Sequence, residues 1–279
     1  MPVDLRESLN AISDVIVNRP SPLREFDQIY MKAADMLIQA EHVSKWFTDR
    51  EVVFIGDGDA LALCLVHLKA EGQLDRGPSK IHVLDFDERM VNSIMRFSER
   101  YGYEDRIGAS LYNVADALPN EYRKRYSGFY TNPPFGGSNG GASVCAFLQR
   151  GLESLQPNGI CCAVLADDNS LRWCNEVLLA AQLMLLKSGC IIAEMIPEFH
   201  SYHLDDNPGL KSCSLIARQC PGMLPESGEG SMPLSKEVRD NFYGKGAELK
   251  IRYVRDLTNG VKLASRDYRM EPFPEDVWG

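Results

Sequence analysis

The first 48 residues carry apolar side chains at helical spacing. Apolar residues recur three or four positions apart over residues 5–16 and again over 29–47, and Pro20 and Pro22 interrupt the pattern between the two stretches. Such spacing puts the apolar side chains on one face of a helix. The pattern therefore predicts a helical N-terminal prefix over residues 1–48.

From residue 51 onward, short apolar runs alternate with helical stretches. A run of this kind is typical of a buried strand, and regular alternation with helices predicts β-α-β units and a mostly parallel, doubly wound α/β sheet over residues 49–220. A seventh run at 213–217 follows a polar loop and could form an antiparallel edge pair with the sixth. A stretch rich in Gly, Pro, Ser and Glu then predicts a linker, so residues 221–279 are assigned to a linker and C-terminal extension. The six earlier runs are 52–55, 81–84, 109–111, 128–131, 159–165 and 190–196.

Composition narrows the class of protein. With 44% hydrophobic residues in 279, the chain can bury a large core, which excludes disorder for most of it. A net charge of −9 argues against binding to nucleic-acid phosphates and favours a cationic partner or a small substrate, although it could equally serve only solubility. The eight cysteines include no C-x-x-C pair, so we expect neither metal nor disulfides. No signal peptide or membrane span is apparent, which predicts a cytoplasmic protein without membrane attachment.

A glycine-containing loop follows the first predicted strand. Gly56-Asp57-Gly58-Asp59 leads directly into an apolar helix. Glycines let the backbone approach a ligand closely, and the helix N-terminus offers free N–H groups. The full dinucleotide fingerprint is absent, because Leu61 stands where its third glycine would be. Asp59 could contact a ligand or could simply cap the helix.

Carboxylates end the second predicted strand. Asp85 and Asp87 lie at the C-terminal edge of the sheet, about where a ribose-binding acid is expected after a glycine loop. A carboxylate can accept hydrogen bonds from both ribose hydroxyls. We assign Asp85 this role, with Asp87 either a second contact or the cap of the following helix.

The fourth predicted strand ends in Asn132-Pro133-Pro134-Phe135. The Asn132 amide oxygen and a proline carbonyl can accept hydrogen bonds from an amine, and Phe135 can stack on a planar group or lie against a cation. The alternative is a structural Pro-Pro turn with Phe135 in the core. We assign the four residues to the acceptor site.

Polar clusters follow the fifth and sixth predicted strands, where a doubly wound sheet builds the rim of its active site. Asparagine cannot take a proton, so a nearby group must remove it from an attacking amine. We predict Asp167 for this role, with Asp168 and His200 as alternatives, and solvated loops remain an open explanation of both clusters. The clusters comprise Asp167 and Asp168, then Glu198, His200, His203, Asp205 and Asp206.

Four blocks in order resemble the branched-chain polyamine synthase family, aminopropyltransferases that use decarboxylated AdoMet. They are Phe26-Asp27-Gln28, Gly56-Asp57-Gly58-Asp59, Leu84-Asp85-Phe86-Asp87-Glu88-Arg89, and Leu118-Pro119 followed by Thr131-Asn132-Pro133-Pro134. The resemblance implies a Rossmann-like AdoMet-dependent methyltransferase fold and a polyamine acceptor. It also implies a donor site that includes Gln28, Gly56, Asp57, Gly58, Asp59, Asp85 and Asp87, with Asn113 near the adenine.

The acceptor block also resembles another class of enzymes. Asn-Pro-Pro-Phe is similar to the motif of AdoMet-dependent methyltransferases that modify amino groups in nucleic acid, protein or small molecules. Aminopropyl transfer to a polyamine is our main hypothesis, N-methyl transfer to another amine the alternative, and a catalytically silent donor-binding protein a third. The donor is decarboxylated AdoMet or AdoMet, no metal or nucleic-acid partner is expected, and a homodimer remains one option.

Overall fold

The computed structural model describes residues 5–204, 207–220, 222, 230–243, 248–258 and 267–274. Seven α-helices and nine β-strands lie within these residues. The helices are α1 (Leu5–Asn18), α2 (Ala33–Trp46), α3 (Leu61–Ala70), α4 (Glu88–Tyr101), α5 (Ala142–Ser154), α6 (Arg172–Lys187) and the single turn α7 (Lys236–Arg239). The strands are β1 (Glu51–Ile55), β2 (Lys80–Asp85), β3 (Ile107–Leu111), β4 (Tyr126–Thr131), β5 (Leu155–Ala166), β6 (Cys190–Ser201), β7 (Lys211–Gln219), β8 (Ile251–Asp256) and β9 (Tyr268–Pro272).

Seven strands form one sheet in the order β3-β2-β1-β4-β5-β7-β6. Strands β1 to β5 run parallel, and β7 runs antiparallel to both β5 and β6. The predicted doubly wound sheet with an antiparallel edge pair is therefore confirmed. Because the strand order reverses between β1 and β4, the loops that follow these strands diverge and leave a crevice at their carboxyl ends.

The prefix predicted over residues 1–48 shares its core with the sheet. Helices α1 and α2 pack on α3, and Ile12, Val15 and Met36 belong to the same buried cluster as Phe54 and Leu61. Helix α3 is apolar on all sides because it lies between the sheet and this second layer of helices. The prefix thus completes the core rather than standing apart from it.

The C-terminal extension reaches the carboxyl edge of the sheet. Strands β8 and β9 form a hairpin, and Val254 of β8 donates its backbone N–H to the Phe86 carbonyl. Glu88 at the start of α4 accepts from the Asp256 backbone and from Arg255. Of the linker predicted over 221–233, residues 221 and 223–229 lie outside the described residues. Within the described part of the chain, no helix is both long and apolar enough to cross a membrane.

A buried arginine joins α5 to the segment before α7. The Arg150 side chain is fully buried, and it binds the Glu153 carboxylate at 2.9 Å and the Met232 carbonyl at 2.7 Å. It also donates to the Val114 carbonyl and the Ser231 hydroxyl. All of its bonds serve structure, so it anchors the C-terminal part of the chain to the sheet layer.

We expect Arg150→Met to lower the free energy of unfolding by about 3 kcal/mol, because it leaves Glu153 and two carbonyls without their cationic partner. Arg172→Met is the matched control, since the Arg172 side chain is 92% exposed and forms an ion pair with Glu176 one turn away. That control should change stability by less than about 0.5 kcal/mol. Urea denaturation of both variants measures the difference, and equal effects would contradict the anchoring role.

Candidate active site

A cavity of about 830 Å³, counting the space open to solvent at its mouth, lies at the carboxyl ends of β1, β2, β3 and β4. It is walled by the prefix, by the loops after these strands, by α5 and by the segment after α7. The lining residues are Phe26, Asp27, Gln28, Ile29, Ile55, Gly56, Gly58, Asp59, Leu84, Asp85, Phe86, Tyr112, Asn113, Val114, Asn132, Pro133, Pro134, Phe135, Phe147 and Tyr243. Most of the predicted donor and acceptor residues therefore meet in one place.

The charged side chains among the described residues that line this cavity are all acidic. Asp27, Asp59 and Asp85 contribute carboxylates, and none of the described residues that line it is Lys, Arg or His. Burial raises the pKa of the Asp59 and Asp85 carboxyl groups, because the charged form loses its hydration, and partial desolvation also raises the pKa of the more exposed Asp27. A cationic ligand would restore favourable interactions to them, so the lining of the cavity favours a cation over an anion.

The glycine loop turns sharply beneath the cavity. Gly56 has a φ of 72°, and a Cβ at this position would lie 3.1 Å from the Phe147 ring. Both its left-handed backbone and the close ring explain why glycine stands here. The turn brings the backbone of the loop to the cavity wall.

Asp57 rather than Asp59 caps α3. The two Asp57 oxygens accept the backbone N–H groups of Leu61 at 2.8 Å and Ala62 at 3.0 Å. Ala60, in the left-handed conformation with a φ of 59°, is the residue just before the helix, so the helix begins at Leu61. A cap at Asp59 would require it to begin one residue earlier. Of the two alternatives for Asp59, the ordinary helix cap does not occur, and Asp57, which was assigned to the donor, does not line the cavity.

Asp59 instead joins two distant segments. Its carboxylate accepts the Met31 backbone N–H at 2.7 Å and the Asn132 side-chain amide at 2.6 Å. It is 4% exposed, and burial raises its pKa against the opposing effect of these bonds and of Arg19. This carboxylate, which lines the cavity beside Asn132, is the nearest candidate to take a proton from an amine held there.

Asp85 lies at the cavity wall as the sequence predicts. Its oxygens accept the backbone N–H groups of Asp57 and Asp87, each at 2.9 Å. Burial, and then the charge of Asp87, raise its pKa to about 6. Two lone-pair directions remain on these oxygens, so the carboxylate can still accept hydrogen bonds from a pair of hydroxyls.

Of the two roles predicted for Asp87, a second ribose contact or a helix cap, the structure shows the helix cap. It caps α4 by accepting the Arg89 backbone N–H, and its carboxylate forms a buried ion pair with the Arg89 guanidinium at 2.6 Å. It does not line the cavity. Gln28, which does, donates to Asp87 at 3.3 Å and accepts the Leu23 backbone N–H at 2.7 Å.

Asn113 lines the cavity and also holds the C-terminal hairpin. Its Oδ1 accepts the Ala115 backbone N–H at 2.9 Å, and its Nδ2 donates to the Arg252 carbonyl at 2.6 Å. One lone pair of Oδ1 is left for a ligand. The sequence placed Asn113 after β3 but gave no sign of the hairpin.

The Asn-Pro-Pro-Phe segment follows β4, where the Thr131 hydroxyl donates to the Ile55 carbonyl at 2.8 Å and ties the loop to β1. Asn132, Pro133, Pro134 and Phe135 all line the cavity. The Phe135 ring meets the Tyr202 ring edge to face at 5.5 Å and packs against the core. Phe135 therefore forms part of the cavity wall and also packs against the core.

The clusters after β5 and β6 do not line the cavity. Asp167 is buried and accepts the Glu198 backbone N–H at 2.8 Å, while Asp168 accepts from Ser170. His200 is buried, and burial and the charge of His42 lower its pKa to about 3. Asp167, Asp168 and His200 are therefore not among the residues that line the cavity with Asn132.

The remaining residues of those clusters are also separate from the site. His203 is exposed and donates its backbone N–H to the Tyr30 carbonyl. Asp205 and Asp206 lie outside the described residues. No group of three or more His, Cys, Asp or Glu side chains that could hold a metal ion occurs in the described ranges.

Asp27 and Tyr243 are among the lining residues that sequence reasoning did not assign to the site. Asp27, with a φ of 56°, follows a short 3₁₀ turn, and its charge and that of Asp85 add to the burial that raises the Tyr243 pKa. The Phe26 ring meets the Phe86 ring at 5.2 Å and the Tyr243 ring at 5.5 Å. The Phe26-Asp27-Gln28 block could have identified Asp27, whereas no local signal identifies Tyr243.

Comparison with known proteins decides the family. Residues 7–262 match the family described as the branched-chain polyamine synthase A C-terminal domain. The chain belongs to this family. A relative from Thermococcus kodakarensis, N(4)-bis(aminopropyl)spermidine synthase, is 26% identical over 202 residues, which are 70% of this chain and 53% of that protein. The chain therefore spans about half the length of this curated relative.

Solved structures show the same fold. A C9 mutein of the branched-chain polyamine synthase from Thermus thermophilus superposes with a TM-score of 0.69 at 20% identity, covering 86% of this chain and 70% of that one. That structure contains N4-aminopropylspermidine and 5'-methylthioadenosine. A candidate RNA methyltransferase of Pyrococcus horikoshii gives a TM-score of 0.56 at 12% identity, covering 77% and 100% of the two chains. The fold is the Rossmann-like methyltransferase fold.

The raised pKa of Asp85 has a consequence for stability. A carboxyl group with a folded pKa near 6 binds its proton more tightly in the folded chain, so its contribution to stability falls as the pH rises from about 4 to about 6. Relative to Asp85→Asn, the wild type should lose up to about 3 kcal/mol across this range. Chemical denaturation at a series of pH values measures the difference. Asp168→Asn is the control. Since the pKa of exposed Asp168 is lowered, the stability of the wild type relative to this variant should rise, not fall, as the pH increases.

Proposed function

We propose that this protein transfers an aminopropyl group from decarboxylated AdoMet to a nitrogen atom of a polyamine. The observation that carries the proposal is the charge of the cavity, where three carboxylates face one space without a basic residue among the described lining residues. Both the sulfonium donor and a protonated polyamine are cations with apolar segments. Membership of the polyamine synthase family supports the same reaction.

The donor would lie across the ends of β1 and β2. Asp85 would accept hydrogen bonds from the ribose hydroxyls, and Gly56 and Gly58 would leave room for the aminopropyl arm. The lone pair of Asn113 that remains would face the adenine. Aromatic side chains of Phe26, Phe86 and Tyr243 meet edge to face at this wall and would exclude water from the nucleoside.

Charge supports the decarboxylated donor. AdoMet carries a carboxylate that decarboxylated AdoMet lacks. Near Asp59, which is buried, and Asp27 such a carboxylate would meet like charges. The Asp57 carboxylate, which is bound to the start of α3, contributes to this repulsion only at longer range. The 5'-methylthioadenosine in the Thermus thermophilus structure is what a decarboxylated donor leaves behind after losing its aminopropyl group.

The acceptor nitrogen would lie between Asn132 and Asp59. An alkylamine is protonated at neutral pH and must lose one proton before its lone pair can attack. Asn132 would orient the nitrogen through its amide oxygen, and Asp59 would take the proton, helped by the pKa that burial raises. Asp27 would hold a remote ammonium group. In this scheme Asp59 replaces Asp167 as the proton acceptor.

The bond changes balance without a further reactant. The acceptor lone pair forms a C–N bond to the first carbon of the aminopropyl group, and the C–S bond breaks with its electron pair remaining on sulfur. Neutral 5'-methylthioadenosine leaves, and the proton passes to the Asp59 carboxylate. The positive charge lost by the sulfonium reappears on the product amine, and Asp27 and Asp85, which have taken no proton, remain to stabilise it.

Methyl transfer to a planar amino group is the alternative, and Asn132-Pro133-Pro134-Phe135 is the feature that favours it. The edge-to-face contact of Phe135 with Tyr202 weighs against it, because a ring fixed in this way is less free to stack on a base. The identity of the nucleoside product separates the two reactions. Aminopropyl transfer releases 5'-methylthioadenosine, and methyl transfer from AdoMet releases S-adenosylhomocysteine.

We expect decarboxylated AdoMet to bind at least about tenfold more tightly than AdoMet, which corresponds to about 1.4 kcal/mol. Asp59→Asn should narrow this gap because it removes a like charge, whereas Asp168→Asn, outside the cavity, should not. Calorimetric titration of both donors into the three proteins measures the preference. Equal or reversed preference in the wild type would support methyl transfer instead.

We expect Asp59→Asn to lower kcat with spermidine by about 100-fold or more while donor affinity changes only a few-fold, since it removes the proton acceptor. Asn132→Ala should likewise act mainly on kcat. Asp167→Asn is the matched buried control, and its kcat should stay near that of the wild type. If Asp167→Asn loses turnover and Asp59→Asn keeps it, the proton acceptor has been assigned to the wrong carboxylate.

A further inference from the structure

A residue of the prefix holds the backbone of the glycine loop. Arg19, which follows α1, donates from Nη1 to the Asp59 carbonyl at 3.0 Å. Its guanidinium carbon lies 4.0 Å from the centre of the Tyr30 ring, and the Tyr30 hydroxyl donates to the Pro20 carbonyl at 2.7 Å. The stacked ring fixes the position of the guanidinium, so the prefix places a permanent cation against the main chain of Asp59.

The peptide that joins Asp59 to Ala60 is held at both of its polar ends. Arg19 binds its carbonyl oxygen, and the Ala60 N–H donates to the Asp57 carbonyl at 2.9 Å. Ala60 has a φ of 59°, a left-handed conformation that is disfavoured for a residue with a Cβ. Such a conformation persists only where its surroundings fix it. The Arg19 bond therefore helps to keep the turn from which the Asp59 carboxylate reaches Asn132.

The charged and titratable groups that face Asp59 come from the prefix, the glycine loop, α3, β4 and the segment after β6. They are Arg19, Tyr30, Asp57, Cys64, Tyr130 and Tyr202. Burial raises the pKa of the tyrosines and the cysteine, so these groups stay neutral at neutral pH. Arg19 is the only cation in this described set, and its attraction lowers the pKa of Asp59 against the effect of burial. Without it, no charged group in the set would favour the ionised form of Asp59.

We propose that Arg19 is a positioning residue, which fixes the main chain of Asp59 and keeps its carboxylate ionised and able to take the proton of the acceptor amine. The proposal rests on the proposed function, in which Asp59 is the proton acceptor. Arg19 is not among the described residues that line the cavity. Its charge therefore acts on Asp59 from outside the lining, and the wall that would meet a cationic substrate stays acidic.

The test compares variants of the whole protein for the pH dependence of kcat/KM with spermidine. Arg19→Gln removes the charge but keeps a side-chain donor. It should move the acidic limb of the profile upward by about one pH unit, because Asp59 then binds its proton more tightly. Activity at a fixed pH on that limb should fall about tenfold. Arg19→Lys keeps the charge, so its limb should stay within about 0.3 pH units of the wild type.

Arg50→Gln is the matched control. Like Arg19, Arg50 is half-buried and donates from Nη1 to a backbone carbonyl, that of Ser127 at 3.1 Å, but it is remote from the glycine loop and does not line the cavity. Its replacement should leave kcat/KM within about twofold at every pH. Calorimetric affinity for 5'-methylthioadenosine should change less than about twofold in all three variants. If Arg19 acts through Asp59, Arg19→Gln lowers the rate on the acidic limb much less in an Asp59→Asn background than in the wild type.

An acidic limb that stays in place in Arg19→Gln would overturn the proposal, as would equal shifts in Arg19→Gln and Arg19→Lys. Full additivity with Asp59→Asn would also overturn it. Release of S-adenosylhomocysteine by the wild type would overturn only the proposed function, and the titration of Asp59 itself would then still decide the role of Arg19. Carbon NMR of its carboxyl group, assigned by the loss of the signal in Asp59→Asn, should show a midpoint that rises in Arg19→Gln and not in Arg50→Gln.

Discussion

The hydrogen bonds of one buried carboxylate hold the cavity together. Asp59 lies between β1 and α3, and it binds the Met31 backbone from the prefix and the Asn132 amide from the loop after β4. Each of these segments also contributes to the wall or floor of the cavity. A buried carboxylate must be hydrogen-bonded to remain ionised, so Asp59 requires both of these partners. In turn, Asp59 holds the Met31 backbone and the Asn132 amide in place.

The same constraint applies to its neighbours. Asp57 and Asp85 are satisfied by backbone N–H groups, and Asp87 by a helix terminus and the Arg89 guanidinium. Backbone donors orient a carboxylate without supplying a full positive charge, so the pKa values of Asp57 and Asp85 stay raised. The edge of the sheet is therefore preorganised and still short of positive charge, which a ligand could provide.

The sequence predicted those features of the fold and the site that depend on the local pattern of apolar and polar residues. The parallel strands, the antiparallel pair, and the positions of Asp85 and Asn132 at strand ends all follow from apolar runs and the polar residues that end them. It did not predict that Asp57 caps α3, because the left-handed backbone at Ala60 decides where that helix begins. It also did not predict that Asp167 binds the Glu198 backbone and lies outside the cavity lining, because these contacts depend on how β5, β6 and β7 pair. Only tertiary packing brings Tyr243 to the cavity.

The contact of Phe26 with Tyr243 also bears on the order in which the protein can be made. These rings come from opposite ends of the chain and meet at 5.5 Å on one wall of the cavity. During synthesis the sheet and its helices emerge from the ribosome well before residue 243 does. A nascent chain can therefore form most of its sheet while this wall is still missing, so we expect the ligand cavity to be completed only after residue 243 has emerged.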